Sequence, residues 1–170
     1  MDFLIASDTH GAYDLLRTVW RKQVHKPDGL IFLGDGLKDL WDFSSFAPGV
    51  PILAVRGNCD FTKALPDGTV AEVSMVRTFE DVKIFMTHGH AYGVKGGDTH
   101  LLQAGISNGA SVILYGHTHR QEARFVTDFG RPVQICNPGS LRDKGQFATI
   151  SLCGGQAVIG LGELPRSALL

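Results

Sequence analysis

The chain has 170 residues, of which 44% are apolar and 19% charged. This length predicts a single globular domain over residues 1–170, because two independent cores would be small, and the composition disfavours a disordered chain. Lys and Arg number 16 against 17 Asp and Glu, which gives a net charge of −1. That balance lacks the basic excess of a dedicated nucleic-acid-binding surface.

The cysteines and the N-terminus bear on cellular location. Cys59, Cys136 and Cys153 are an odd number without CxxC spacing, so we expect no disulfide framework and a reducing, cytoplasmic location. The first residues lack the basic and apolar regions of a signal peptide, and no uncharged stretch is long enough to span a bilayer. We therefore expect no membrane association.

The first third of the chain alternates short apolar runs with helical patterns. The runs at 3–6, 30–33 and 52–55 predict three buried strands. Apolar residues recur at helical spacing over 15–20, and a shorter stripe covers 37–41. This β-α-β-α-β order predicts parallel strands joined by right-handed crossovers.

The middle of the chain predicts a hairpin and then a helix. Two strands, over 69–79 and 82–86, are separated by a tight turn at 80–81. A helix over 99–108 follows, with Asp98 as its N-cap.

The last part of the chain is rich in strand signals. A buried strand is expected over 112–115, and turn residues at 128–131 and 154–155 predict two further hairpins. Residues 162–170 are expected to form a weakly ordered tail.

Five of these predicted strands end in loops that carry side chains able to bind metals. Ligand sites in open α/β sheets form at the carboxyl ends of the strands, so we expect these loops to lie close together despite their wide separation in sequence. The side chains concerned are Asp8, His10, Asp35, Asn58, His88, His117 and His119.

A mixed set of Asp, Asn and His suits borderline divalent cations such as Mn²⁺, Fe²⁺, Co²⁺, Ni²⁺ or Zn²⁺. The absence of a thiolate cage disfavours a closed structural zinc site. The set is also too large for one tetrahedral ion. Two ions about 3.5–4 Å apart would use all of it, an arrangement that stabilises both attacking and leaving oxygens in phosphoryl displacement.

The same residues resemble, in order, the motifs of the calcineurin-like metallophosphoesterases. The resemblance covers residues 3–142. Two of its motifs, at residues 57–60 and 137–140, are similar to those of the small single-domain phosphodiesterase branch of that family. The resemblance implies an α/β (α+β) fold with a two-sheet β-sandwich flanked by helices. The motifs are Asp8-Thr9-His10, Gly34-Asp35, His88, Gly116-His117-Thr118-His119, the Gly57-Asn58-Cys59-Asp60 variant and Asn137-Pro138-Gly139-Ser140.

The resemblance also implies a role for each ligand. Asp8, His10 and His119 would hold the first ion. Asn58, His88 and His117 would hold the second ion, and Asp35 would bridge the two. We expect two divalent ions, with Mn²⁺ as the first choice among those named above.

The implied activity is dinuclear phosphoesterase, above all phosphodiesterase. A hydroxide between the ions would attack phosphorus in line, while the ions neutralise the charge that develops on the phosphoryl oxygens. The expected substrate is a small phosphodiester, and a homo-oligomer is possible. Besides their places in the ligand set, Asp35, Asn58 and His117 are predicted to serve catalysis, together with His90.

Three other functions compete with this one. A phosphomonoesterase would use the same fold and ions. A non-catalytic scaffold is the second, since the fold has a relative that serves as a protein-binding subunit of a sorting coat. That relative lacks parts of the ligand set, which is complete here. A DNA nuclease is the third, and the balanced charge disfavours it.

Several residues near the motifs have two readings. His90 could orient a ligand or act as a general acid, or it could be a supporting loop histidine. Cys59 stands where many members of the family have a His that protonates the leaving group, and we expect it to be a small packed loop residue. Asp60 would serve either as a hydrogen-bond partner in the site or as a turn-stabilising acid. Arg56 and Arg142 could contact phosphate, but structural roles are more common.

Three more predictions concern residues outside the ligand set. The turn at 137–139 is expected to be structural and to lie beside the site. Cys136 and Cys153 lie in strand-like stretches and are expected to be buried and inert.

Overall fold

The computed structural model describes residues 1–127 and 130–169. The strands of this part of the chain are β1 (Asp2–Ala6), β2 (Gly29–Phe32), β3 (Ile52–Ala54), β4 (Ser74–Phe79), β5 (Val82–Thr87), β6 (Val112–Leu114), β7 (Glu122–Val126), β8 (Val133–Asn137), β9 (Gln146–Cys153) and β10 (Gln156–Glu163). The helices are α1 (Tyr13–Lys22), α2 (Asp39–Phe46), α3 (Thr99–Ser107) and α4 (Leu141–Lys144), with 3₁₀ turns at His90–Tyr92 and Arg166–Ala168. None of these helices is long and apolar enough to cross a membrane.

The strands form two five-stranded sheets of similar plan. The first has the order β10-β9-β1-β2-β3, in which β1, β2 and β3 are parallel. The second has the order β4-β5-β6-β8-β7, in which β5, β6 and β8 are parallel and both edge strands are antiparallel. Each sheet therefore presents a group of carboxyl strand ends along one edge, as the β-α-β-α-β order predicts for the first.

Alternation along the strands divides the core into layers, because successive side chains point to opposite faces of a sheet. Phe3 and Ile5 belong to an apolar core between the sheets, which also contains the buried residues Ile84 and Met86 of β5. Leu4 and Ala6, on the opposite face of β1, pack with α1, α2 and α4. The outer face of the second sheet packs with α3. The predicted two-sheet sandwich flanked by helices is confirmed.

The hairpin in the middle of the chain is confirmed at its turn but is shorter than predicted. Glu80 and Asp81 both have positive φ, 48° and 63°, as a two-residue turn that matches the twist of the strands requires. The preceding strand begins at Ser74 instead of residue 69. Residues 69–73 make only isolated bridges, such as Glu72 with Val55, which link the chain to the first sheet.

Two other local predictions are wrong in part. Asp98 occupies the N-cap position of α3 as predicted, but its carboxylate accepts no capping hydrogen bond and pairs with Arg124 instead. The tail is not weakly ordered over its whole length, since β10 runs to Glu163 and Leu164 is buried in the core beside α1 and α4.

The two hairpins predicted near the C-terminus have different outcomes. The turn at Gly154-Gly155 joins β9 and β10 as predicted. Strands β7 and β8 are paired antiparallel, but residues 128 and 129 of the predicted turn lie outside the described part of the chain. Of the two cysteines predicted to be buried, Cys136 is buried and Cys153 is exposed.

Candidate metal centre

The loops that follow four of the parallel strands bring six of the seven predicted ligands into two groups. In each group, one ligand atom of every residue lies within 4.8 Å of the others. The first cluster is Asp8, His10 and His119, and the second cluster is Asp35, His88 and His117.

The first cluster is built around a buried carboxylate. Asp8 Oδ1 lies 3.0 Å from Nε2 of His119 and 3.8 Å from Nε2 of His10. On its other side, the His119 ring places Nδ1 2.7 Å from Oδ2 of Asp143. Nδ1 can donate its proton to this carboxylate, which would leave the lone pair of Nε2 directed at Asp8.

The second cluster lies deeper in the protein. His88 and Asp35 are buried, and His88 Nε2 lies 3.2 Å from both Asp35 Oδ2 and His117 Nδ1. His88 Nδ1 lies 2.6 Å from the carbonyl oxygen of Leu33, to which it donates when protonated. The two clusters adjoin, since His10 Nε2 lies 3.9 Å from Asp35 Oδ2.

The electrostatics of the second cluster favour a charged carboxylate at Asp35 and a neutral ring at His117. Burial acts against ionisation of Asp35, but hydrogen bonds from His88 and Cys59 outweigh it and hold the pKa of the carboxyl well below its usual range. Burial and the neighbouring His88 lower the pKa of His117 to about 4. Burial also opposes the charge on His88, but Asp35 and Asp8 outweigh it and raise the pKa of His88.

These donors fit divalent cations. Oδ1 of Asp8 is buried and has no hydrogen-bond partner among the described residues, although three imidazole nitrogens lie within 4 Å of it, those of His10, His88 and His119. At His88, three acceptor-capable atoms meet at 3.2 Å, more than the available protons can satisfy when the rings are neutral. Such close groups of nitrogen and carboxylate oxygen are the donor sets of borderline divalent metals.

Asn58 and His90 stand apart from the two clusters. Asn58 follows β3 as predicted, but it is exposed and its Nδ2 lies 3.3 Å from Sγ of Cys59. Its role as a ligand stays a prediction. The half-buried His90 ring has its centroid 5.5 Å from that of His88 and 6.1 Å from that of His117. Burial and His88 lower the pKa of His90, which disfavours its protonated form.

Backbone strain concentrates at this centre. Left-handed φ is uncommon outside glycine and, at functional sites, is held in place by the surrounding structure. The loops after β1 and β2 are tied together by bonds from the Asp8 amide to the Gly34 carbonyl and from the His10 amide to the Asp35 carbonyl, each 3.0 Å. Besides Glu80 and Asp81, the described non-glycine residues with positive φ are Asp8 (55°), His10 (43°), Asp35 (57°), His117 (69°) and His119 (56°).

Asp60 joins the second and third loops and combines both roles considered for it. Its carboxylate accepts backbone hydrogen bonds of 2.8–2.9 Å from Asp35, Gly36, Leu37 and Gly57. Gly57 itself must be glycine, because a Cβ there would lie 2.0 Å from Oδ1 of Asp35. Asp60 thus fixes the backbone on which Asp35 stands.

The sequence predicts a packed Cys59, and this prediction is wrong, because Cys59 is exposed. Its amide donates to Oδ1 of Asp35 at 2.8 Å, which turns the residue toward the centre. Its Sγ belongs with His10 and Asp35 to a third group of ligand atoms within 4.8 Å of one another. Burial and the Asp35 carboxylate raise the pKa of the Cys59 thiol.

The turn at residues 137–139 is structural, as predicted, and supports the loop of His117 and His119. Buried Asn137 donates through Nδ2 to the carbonyl of Gly116 at 2.9 Å and to Oγ1 of Thr118 at 3.0 Å. It thereby holds the backbone on both sides of His117. Arg56 is half-buried and Arg142 is exposed, and their contact with phosphate stays a prediction.

Sequence reasoning missed Asp143, the partner of His119. The spacing of Ser140 and Asp143 is a local signal for a capped helix, and Ser140 Oγ accepts from the Asp143 amide at 3.1 Å. That spacing does not predict the hydrogen bond between Asp143 and the ring of His119, which lies 24 residues earlier in the chain.

Comparisons with known proteins agree with this geometry. The model of the calcineurin-like phosphoesterase superfamily domain matches residues 1–155. The chain is 31% identical over 143 residues to the probable metallophosphoesterase YsnB of Bacillus subtilis, which covers 84% of this chain and 76% of the relative.

Two solved structures show the same fold. A novel archaeal phosphodiesterase superposes with a TM-score of 0.73 at 22% identity, covering 95% of this chain and all of the other. Vps29 of Entamoeba histolytica, in complex with zinc, gives a TM-score of 0.70 at 17% identity, covering 96% and 99% of the two chains.

The chain belongs to the calcineurin-like phosphoesterase superfamily. It is therefore a metallophosphoesterase by family, a class of metal-dependent hydrolases, and the two clusters are its candidate metal-binding groups.

Proposed function

We propose that this protein is a phosphodiesterase that uses two divalent ions, with Mn²⁺ as the preferred metal. The observation that carries the proposal is the pair of adjoining clusters, each with one carboxylate and two imidazoles within 4.8 Å. When bound, two such ions would lower the pKa of water and neutralise charge on the phosphoryl oxygens.

The residues divide the work of holding these ions. Asp8, His10 and His119 would hold the first, and His88, His117 and Asn58 the second. Asp35 adjoins both clusters, with Oδ2 3.2 Å from His88 and 3.9 Å from His10. Asp8 Oδ1 lies equally far, 3.9 Å, from His88 Nε2 of the second cluster, so our assignment of the bridge to Asp35 follows the family resemblance.

His90 is assigned a supporting part in catalysis. Its ring packs beside those of His88 and His117, so it can hold them in the orientation that the second ion requires. Burial and His88 lower the pKa of His117 to about 4, which favours the neutral ring, whose lone pair can bind a metal.

The surroundings of the clusters leave room for an organic group of an ester. A cavity of about 410 Å³ is lined by His10 and Asp35. Our preference for a diester over a monoester rests on the archaeal structural neighbour, which is itself described as a phosphodiesterase.

A protein-binding scaffold is the second candidate, since Vps29 proteins share this fold. Six of the seven predicted ligands nevertheless converge here, with an orphaned buried carboxylate oxygen among them. A Vps29 structure also contains zinc, so metal binding alone does not separate the two candidates, and we favour catalysis because all the predicted ligands are present in this chain.

The test is a panel of metals against substrates. Chelated protein is supplied with Mn²⁺, Zn²⁺, Ni²⁺ or Co²⁺ and assayed on a phosphomonoester, linear phosphodiesters and cyclic nucleotides. We expect turnover of diesters, greatest with Mn²⁺. Faster turnover of the monoester would replace the diesterase assignment, and no turnover with any pair would favour the scaffold.

A further inference from the structure

A large apolar side chain stands fully in solvent beside the metal centre. Phe61 is fully exposed, with a relative accessible surface of 102%, whereas aromatic rings in folded proteins are usually packed against other side chains. It lines the cavity of about 410 Å³ that also includes His10 and Asp35 of the two clusters. Phe61 and two of the candidate metal ligands therefore border the same space.

The backbone that carries this ring is firmly fixed. The preceding residue, Asp60, accepts four backbone hydrogen bonds, one from Gly57 and three from residues 35–37. Phe61 thus follows directly on a residue that is anchored beside Asp35, while its ring is exposed to solvent. An exposed aromatic ring on an anchored loop is a prepared contact surface.

The acidic residues of the cavity wall are already engaged. The carboxylate of Asp60 accepts the four backbone hydrogen bonds described above. The carboxylate of Asp39 accepts hydrogen bonds from Oγ1 of Thr9 and from the Gly11 amide. Asp35 faces His88 and the Cys59 amide. What the wall offers a ligand is mainly the Phe61 ring and the exposed Cys59 thiol, with an exposed ammonium at Lys38.

We propose that this cavity binds an aromatic group of the ester substrate, and that Phe61 stacks on it. The proposal rests on the proposed function, because the cavity is identified by its continuity with the metal ligands. It makes Phe61 a specificity-determining residue that selects aryl or nucleobase esters over alkyl esters. A flat ring against Phe61 would place the attached phosphate toward Asp35 and His10.

The test measures binding without turnover. Phenylphosphonate and methylphosphonate, two phosphorus ligands that cannot be hydrolysed as esters, are titrated calorimetrically into the Mn²⁺-loaded protein. The proteins compared are the wild type, Phe61→Ala, Phe61→Tyr and Phe125→Ala. The last is a matched control, because Phe125 is an exposed phenylalanine on β7 outside this cavity.

We expect the wild type to prefer phenylphosphonate by about tenfold, the effect of one stacked ring. Phe61→Ala should remove that preference, while Phe61→Tyr and Phe125→Ala should keep it. All variants should melt like the wild type, since both phenylalanines are exposed. No phenyl preference in the wild type, or its survival in Phe61→Ala, overturns the proposal. A phenyl preference that depends on Phe61, in a protein that hydrolyses no ester, would retain the cavity and overturn the proposed function instead.

Discussion

The two metal clusters are built alike but are held in different ways. In the second cluster His88 is fully buried, and its ring is fixed by a backbone carbonyl, that of Leu33. In the first cluster His119 is partly exposed, and its ring is fixed by a side chain, that of Asp143, which is itself about half exposed. The second cluster thus has two buried ligands, Asp35 and His88, whereas the first has one, Asp8, with both of its histidines half-buried.

This difference determines which of the two ring-orienting groups can be removed by substitution. A carbonyl that orients a ring cannot be removed by substitution, and a buried ring moves only with its neighbours. An exposed carboxylate can be replaced with little effect on folding. We therefore expect the first site to be the adjustable and more readily exchanged of the two, and the second to be set by the fold.

The largest effect is expected where the clusters meet. Asp35→Ala removes the carboxylate that adjoins both, so diester hydrolysis should fall by more than about 10³-fold, since both ions lose a ligand at the reacting centre. Activity assays and metal analysis of the purified variant measure this. Asp42→Ala, an exposed acid on the neighbouring helix α2, is the control. Near-normal turnover with two bound ions would refute the bridge.

The next effect concerns Cys59, whose sulfur groups with His10 and Asp35 between the clusters. A thiol is a poor substitute for the His that commonly protonates the leaving group. Hydrolysis should therefore fall steeply as the leaving-group pKa rises across aryl and alkyl diesters. Cys59→His should raise alkyl ester hydrolysis by about 10²-fold, the lower range of general acid catalysis.

The assay for Cys59 is a series of diesters with leaving groups of increasing pKa, measured for both proteins. Cys59→Ser is the control, because it changes the side chain without adding an imidazole. A shallow dependence in the wild type would show that another residue already donates the proton, with His90 and Asp60 the first to be replaced.

A smaller and one-sided effect is expected from Asn58, the predicted ligand of the second ion alone. Asn58→Ala should lower the affinity of that ion by about 100-fold, near the upper end of losses seen around metal sites. The first ion should be retained, because Asp8 and His10 remain. Metal analysis after dialysis decides the matter, and equal loss of both ions would exclude Asn58 as a site-specific ligand.

The smallest expected effect is a loss of affinity for the first ion alone. Asp143→Ala frees the His119 ring and should weaken the first ion by about tenfold, the lower end for a residue that orients a ligand. Asp143→Asn, which can still accept a hydrogen bond, should recover part of the loss. Titration with Mn²⁺ measures both variants beside Lys144→Ala, an exposed neighbour. Weakening of the second ion instead would reverse our assignment of the clusters.

The sequence predicts much of this centre because each ligand follows a short buried strand. Apolar runs fix where β1, β2, β5 and β6 lie, and parallel strands place their ends together. That rule accounts for convergence within each sheet, whereas the contact of Asp8 with His117, 109 residues apart, also requires the two sheets to pack with these edges together. The two-sheet sandwich was implied by the family resemblance, whereas the alternation of apolar runs predicted only the parallel strands and their crossovers.

Other features could not be predicted because they depend on tertiary contacts. The pairing of Asp98 with Arg124 overrides a local capping pattern, and the contact of Asp143 with His119 has no local signal. Cys59 was expected to be packed, yet it is exposed, and the hydrogen bond from its amide to Asp35 holds it beside the clusters. Strand β4 begins late because its first residues serve a bridge to the other sheet.

The most direct test of the whole account is a titration of chelated protein with Mn²⁺, followed by hydrolysis of an aryl phosphodiester. The account predicts no turnover in the metal-free protein, and activity that rises to saturation at two ions per chain. Full activity without a divalent ion, or saturation at one ion per chain, would contradict a centre made of two clusters.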